Sequence, residues 1–215
     1  MGNKRMLLVG GGGHCRSVLD CLRRIGTYET FGIIDQEGTL HSSRFGVPII
    51  GSDADLPELF AGGWTSAVIA LGSIGNPERR HVLFERLKII GFSLPPVVDP
   101  SALIGYEAIV KEGAFIGKGT VVNVGAQIGC CAIINTGAIV EHDCIIGNFV
   151  HVSPGCTLCG SVAVGENTHV GAGSVVRQQV QIGRNCLIGA GSVVVSSIPD
   201  GAEAYGNPCK VVKYL

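Results

Sequence analysis

Among the six histidines of this 215-residue chain, His142 stands between two carboxylates in the run Glu141-His142-Asp143. An imidazole titrates near neutrality, which suits it to take a proton from an amine or hydroxyl. A neighbouring carboxylate such as Asp143 orients the ring and raises its basicity. His151 follows nine residues later and His169 a further eighteen. His14 closes the run Gly10-Gly-Gly-Gly-His14, while His41 and His81 fall on an expected loop and helix face and are assigned no chemistry. Cys156-Thr-Leu-Cys159 is an isolated C-x-x-C. Without a second pair or matching histidines it makes a poor zinc site, so no metal is expected.

The elements that must position these groups fall into two stretches of different pattern. Residues 1–98 alternate strand and helix: Met6–Val9, Phe31–Ile34 and Ala67–Leu71 read as strands, Ser17–Ile25 and Pro77–Ile90 as helices. In the second helix Val82, Leu83, Leu87 and Ile90 are spaced for burial, with Gly91 as the stop. Strand-helix-strand order implies a small, Rossmann-like parallel sheet with flanking helices. Pro95, Pro96 and Pro100 mark the boundary to a second domain over 99–215.

From Ile104 to Val194 every sixth residue is aliphatic, sixteen in succession. The position four residues after each is small or β-branched, and Cys144, Cys156 and Cys186 occupy it as packing residues. A six-residue period is the signature of a parallel β-helix, with three hexads to a coil. The aliphatic residue fills the axis, and the glycines that often follow it, as at 117, 129 and 171, are expected to serve the turns. His142 is third in its hexad and should face outward. His151 and His169 lie one coil apart and should stack at one corner, gathered with His142 in one sector. Asn123 lies one coil before Glu141 and should sit beside His142.

Bulk properties narrow the partners. A net charge of -1 argues against nucleic acid or an anionic membrane. No apolar run has the length of a membrane span and the start has no signal-peptide layout, so a cytoplasmic protein is expected. Nine cysteines, an odd number, are expected as reduced thiols.

Three segments carry a resemblance to a known family. They are Val9-Gly-Gly-Gly-Gly-His-Cys-Arg-Ser-Val-Leu19, the stretch from Asn135 through Glu141-His142-Asp143 to Gly155, and Tyr205-Gly-Asn-Pro-Cys-Lys-Val-Val212. They are similar to the hexapeptide-repeat sugar O- and N-acetyltransferases, the branch with sialic acid O-acetyltransferases and bacterial nucleotide-aminosugar N-acetyltransferases. The resemblance implies a left-handed β-helix, acetyl-CoA as cosubstrate, and a homotrimer with active sites between subunits. It implies His142 as general base oriented by Asp143, and an oxyanion held by the Gly160 amide. His151, Ala172 and Ala190 match the acetyl-CoA contacts, and Asn123 is a candidate for the acceptor sugar.

For the N-terminal domain the resemblance implies a nucleotide-linked sugar held by Gly12, Gly13, His14, Asp35 and the Gly72-Ser73 turn. A dinucleotide reading fits less well, because the last glycine of a G-x-G-x-x-G run falls on Cys15. The expected reaction is N-acetylation of a UDP- or GDP-linked 4-amino-4,6-dideoxy sugar for bacterial polysaccharide biosynthesis. The alternative is O-acetylation of a sialic acid.

Overall fold

The computed structural model describes residues 4–36 and 42–215, so His41 lies outside the described residues. Two compact units form, one from Met1–Gly72 with Glu78–Val97, the other from Ser73–Pro77 with Val98–Leu215. The change of unit at Val98 falls where the sequence pattern changes, but the short segment Ser73–Pro77 packs with the repeats.

In the first unit β1 (Arg5–Val9), β2 (Thr30–Ile34), β3 (Ser43–Arg44), β4 (Val47–Gly51) and β5 (Ser66–Ile69) form one sheet in the order β3-β4-β2-β1-β5. All pairings are parallel except β3 with β4. Helix α1 (Gly13–Ile25) buries Cys15, Val18, Leu19, Cys21 and Leu22. It starts earlier than the spacing of its apolar residues suggests, because Gly12 serves as N-cap and the glycine run feeds directly into the first turn. Helix α2 (Leu56–Ala61) and strand β4 were not foreseen. Pro48 obscures β4, although a Ser52–Asp55 capping box marks the short 3-10 turn before α2. Helix α3 (Glu78–Ile90) stops at Gly91 as expected. It buries Leu83, Leu87 and Arg80, whereas Val82 is 61% exposed, so the buried face is narrower than its apolar residues imply.

The second unit is a parallel β-helix of two-residue strands on three faces. The first face stacks strands such as Val121–Val122, Ile139–Val140, Thr157–Leu158 and Val175–Val176. The second stacks Gln127–Ile128, Ile145–Ile146, Ala163–Val164 and Gln181–Ile182. The third stacks Phe115–Ile116, Ile133–Ile134, His151–Val152, His169–Val170 and Leu187–Ile188. Each residue pairs with the one eighteen positions on, as Val122 with Val140 and Ile134 with Val152. The second residue of each strand points to the axis. Ile116, Ile134, Val152, Leu158 and Val176 are all fully buried, while Ile104, in the opening coil, is 41% exposed. Burying such a side chain is worth roughly 1.5–3 kcal/mol, repeated at every rung. The strands Ala202–Gly206 and Cys209–Tyr214 form an antiparallel hairpin that continues the third face.

The glycine after each aliphatic residue serves the stacking and not the turn. A Cβ at Gly171 would lie 2.5 Å from the Ala190 nitrogen in the next coil. The left-handed backbone position comes two residues later, and it accepts ordinary residues, Asp143 (φ 59°) and Ser161 (φ 58°) among them.

Because Ile134 is fully buried on the axis, Ile134→Ala leaves a cavity that the flanking coils close only in part. The expected loss is about 2–5 kcal/mol of unfolding free energy, measured by urea denaturation.

Candidate active site

The turn Glu141–Cys144 joins the first face to the second, and here His142 projects into solvent with its side chain 53% exposed. Its Nδ1–H donates to Asp143 Oδ2 at 2.9 Å. With that proton committed, Nε2 carries the lone pair and is the nitrogen able to accept a proton. One coil on, Gly160 lies beneath the ring: a Cβ there would press on Nε2 and come within 2.6 Å of Cε1. The Gly160 amide donates to no acceptor among the described residues.

One coil back, Asn123 Nδ2 donates to Glu141 Oε2 at 2.9 Å, and the same oxygen accepts from the His142 backbone N–H at 3.3 Å. Asn123 Oδ1 caps the Val124 amide at 2.8 Å, and the Val124 carbonyl accepts from the Asp143 N–H at 3.1 Å. Asn123, Glu141, His142, Asp143 and Gly160 therefore form one connected corner. The Glu141 bond to Asn123 follows from their eighteen-residue separation.

His151 and His169 occupy a different place. They pair across neighbouring coils of the third face, with ring centroids 4.9 Å apart and planes at 89°. They sit on strands, not at a corner, and His142 is not gathered with them, because its turn lies between the other two faces. Their strand position points outward, yet both are nearly buried. The His151 Nδ1–H donates to the Ser73 carbonyl at 2.9 Å, and its Nε2 faces the Asn135 amide nitrogen at 3.2 Å. His169 Nε2 lies 3.3 Å from Ser153 Oγ, and its Nδ1 is buried without a hydrogen-bond partner. Burial pushes the His169 pKa below its ordinary value, against a smaller opposing pull from the Ser73 backbone.

Ala172 and Ala190 fall in turns joining the third face to the first, one face away from His142. Their amides, too, have no acceptor among the described residues. Cys156 is buried in the interior, whereas Cys159 is half-buried at the turn, so the C-x-x-C sulfurs occupy different environments. Among the described residues no group of three His, Cys, Asp or Glu is placed to hold a metal. A groove of about 780 Å³ on the second face, lined by residues such as Gln127, Gln181 and Arg184, contains none of the candidate residues.

In the first unit the chain runs from β1 to β2 on one side, while β5 lies on the other. Loops leaving the carboxyl ends of β1 and β5 flank the point where ligands settle in such sheets. Gly12, Gly13 and His14 leave β1 here, and a Cβ on Gly72 would lie 3.6 Å from His14 Cβ. Helix α1 has no side-chain cap at Gly12 and no acid in its first turn, which leaves its N-terminal end suited to an anion. Asp35 follows β2, with Oδ1 accepting from the Gln36 N–H at 2.9 Å and Oδ2 paired with Arg44 Nε at 3.0 Å. Ser73 departs from this cluster: it packs with the second unit, and its carbonyl is held by His151.

A parallel β-helix of hexads presenting an exposed histidine–carboxylate pair defines an acyltransferase of the hexapeptide-repeat class. Comparison with known proteins narrows the class. Residues 5–87 match the family model of the PglD N-terminal domain, and residues 161–196 the bacterial transferase hexapeptide model. A histidine-to-asparagine variant of perosamine N-acetyltransferase from Caulobacter crescentus, in complex with CoA and GDP-perosamine, is 36% identical, with a TM-score of 0.92 over 99% of this chain and 98% of that one. The acetyltransferase domain of PglB from Neisseria gonorrhoeae, in complex with acetyl coenzyme A, is 34% identical, with a TM-score of 0.89 over 98% of this chain and all of that one. The chain belongs to the family of hexapeptide-repeat sugar acetyltransferases with a PglD-type N-terminal domain, and it is an acetyltransferase.

Two outcomes follow from this geometry. In Gly160→Ala the backbone needs no change, since Gly160 does not adopt a positive φ, but the His142 ring must give way. A crystal structure of that variant is expected to show the ring displaced, while its melting temperature stays close to that of the parent. For His169, the folded chain excludes a proton that the unfolded chain takes up below the ordinary pKa of 6.5. Stability is therefore lost as pH falls below 6.5 toward the folded value. Urea titrations between pH 7.5 and 5 should record that decline, and His169→Gln should flatten it.

Proposed function

We propose that this enzyme transfers the acetyl group of acetyl-CoA to the amino group of a GDP-linked 4-amino-4,6-dideoxy sugar. The observation that carries this is the corner where His142, oriented by Asp143, stands over the unpartnered Gly160 amide. It is supported by full-length similarity to an enzyme crystallised with CoA and GDP-perosamine. The amine nitrogen attacks the thioester carbonyl carbon, and the C–N bond forms as its proton passes to His142 Nε2. The carbonyl oxygen becomes an oxyanion held by the Gly160 N–H. On collapse the C–S bond breaks and the thiolate of CoA takes the proton back from His142.

The nucleotide belongs at the switch point of the first unit, its diphosphate at the amino end of α1 beside Gly12, Gly13, His14 and Gly72. The nucleoside lies toward Asp35 and the cavity of about 170 Å³ lined by Gln36, Ser52, Asp53 and Arg79. Ser73 and Asn123 serve through the groups they hold, His151 and Glu141.

The active form is a trimer. His142 and Gly160 lie at one corner of the β-helix, whereas Ala172 and Ala190 lie at the next corner, across the first face, with His151 on the third face. A cofactor that meets both sets is best served by one corner from each of two adjacent copies. Nine free thiols and a requirement for acetyl-CoA suit the cytoplasm, and among the described residues no helix is long and apolar enough to cross a membrane. A cytoplasmic enzyme of this kind supplies an activated N-acetylated sugar for polysaccharide assembly.

Assays with acetyl-CoA and GDP-, UDP-linked 4-amino sugars and sialic acid test the reading. Acetylation of the amine of the GDP sugar is expected, and transfer to sialic acid alone would overturn it. His142→Ala should lower kcat about 10³-fold, the loss typical of a general base. Co-expressed with a steric block at the other corner, Ala172→Trp, it should form mixed trimers that recover activity neither variant has alone.

A further inference from the structure

We propose that Cys144 is a positioning residue for the reaction: its buried thiol grips the carbonyl of the Cys159–Gly160 peptide and so turns that peptide's N–H outward. This deepens the proposed function and rests on the Gly160 amide being the oxyanion donor. Cys144 Sγ lies 3.2 Å from the Cys159 carbonyl oxygen, inside the β-helix, where Cys144 itself is fully buried. A trans peptide is planar, with its C=O and N–H pointing in opposite directions. A carbonyl drawn inward to the thiol therefore aims the Gly160 N–H away from the axis, on the side where His142 stands. A carbonyl that accepts a hydrogen bond also leaves its own N–H a somewhat stronger donor. The thiol keeps its proton, since burial pushes its pKa up to about 11.

The same contact recurs behind the Ala172 and Ala190 amides, and also behind the partnered Thr136 and Arg184 amides, where Thr120 and Thr168 donate to the Asn135 and Gly183 carbonyls at 3.2 and 2.7 Å. Cys156 Sγ donates to the Gly171 carbonyl at 3.1 Å, behind the Ala172 amide. Ser174 Oγ and Ser192 Oγ donate to the Gly189 carbonyl at 3.1 and 2.6 Å, behind the Ala190 amide. In the coils before the catalytic corner Thr120 also carries a donor at the equivalent inward position, while Ala114, Ala126, Ala132 and Ala138 fill the space without one. The fold therefore accepts alanine at this position, and packing alone does not call for a thiol or hydroxyl beneath these amides. Reading Cys144 and Cys156 as packing residues accounts for their burial but not for what their protons do.

The test compares Cys144→Ala and Cys144→Ser with Cys186→Ala, a thiol-to-alanine change at an equivalent buried position remote from the corner, and with His142→Ala. Cys144→Ala is expected to lower kcat about 3- to 10-fold, a fraction of the loss from removing a whole oxyanion donor, with KM for both substrates unchanged. Cys144→Ser, which restores a donor, should return kcat to within about twofold of the parent, and Cys186→Ala should leave it intact. Full kcat in Cys144→Ala overturns the proposal, as does an equal loss in Cys144→Ser or Cys186→Ala. His142→Ala separates the two possible failures. If it collapses while Cys144→Ala is unaffected, only the role of the thiol fails; if it retains activity, the reading of the corner itself fails.

Discussion

Everything in the catalytic unit depends on the aliphatic axis. One side chain in six is driven inward by the hydrophobic effect, and each rung closes a coil eighteen residues after the last. Because neighbouring coils bond to each other through their backbones, a turn cannot shift without breaking two ladders. The corner bearing His142 is therefore held from both sides, by Asn123 in the coil before and Gly160 in the coil after. Chemistry that needs placement to a fraction of an ångström is built here on short turns, which are made rigid by the stack they interrupt.

That rigidity explains how little catalytic apparatus is visible. Proton transfer as proposed needs one imidazole with its second nitrogen committed, and Asp143 lies 2.9 Å from the His142 Nδ1. In the proposed mechanism charge stabilisation needs one amide whose N–H is aimed outward, and the proposed role of Cys144 is to supply that aim by holding the carbonyl of the same peptide. Inward and outward surfaces of the β-helix are thus coupled through single peptide planes.

The third face shows the same coupling in another form. His151 and His169 occupy the outward strand position that elsewhere carries Thr157, Gln181 or Ile145 in contact with solvent. The Ser73–Pro77 segment belongs to the same unit, and its Ser73 carbonyl accepts from His151. Burial disfavours a charge on His169, and the hydrogen bond to Ser73 fixes the tautomer of His151. A pair of histidines one coil apart is visible in the sequence; what covers them is not.

The period of six determined the β-helix, its inward residues, the coil length and the stacking of Asn123 with Glu141 and of His142 with Gly160, because each follows from local geometry repeated without interruption. Strand-turn-helix punctuation likewise announced the first unit, apart from the short β4 and α2, whose signals are weak. Which turn or strand each histidine occupies is a matter of phase, and three faces per coil place residues nine apart, His142 and His151, in different parts of the prism. The burial of His151 and His169, the departure of Ser73 from the glycine cluster and the grip of Cys144 on a distant carbonyl were decided only in three dimensions. Each joins residues fifteen or more positions apart through contacts that no local propensity encodes.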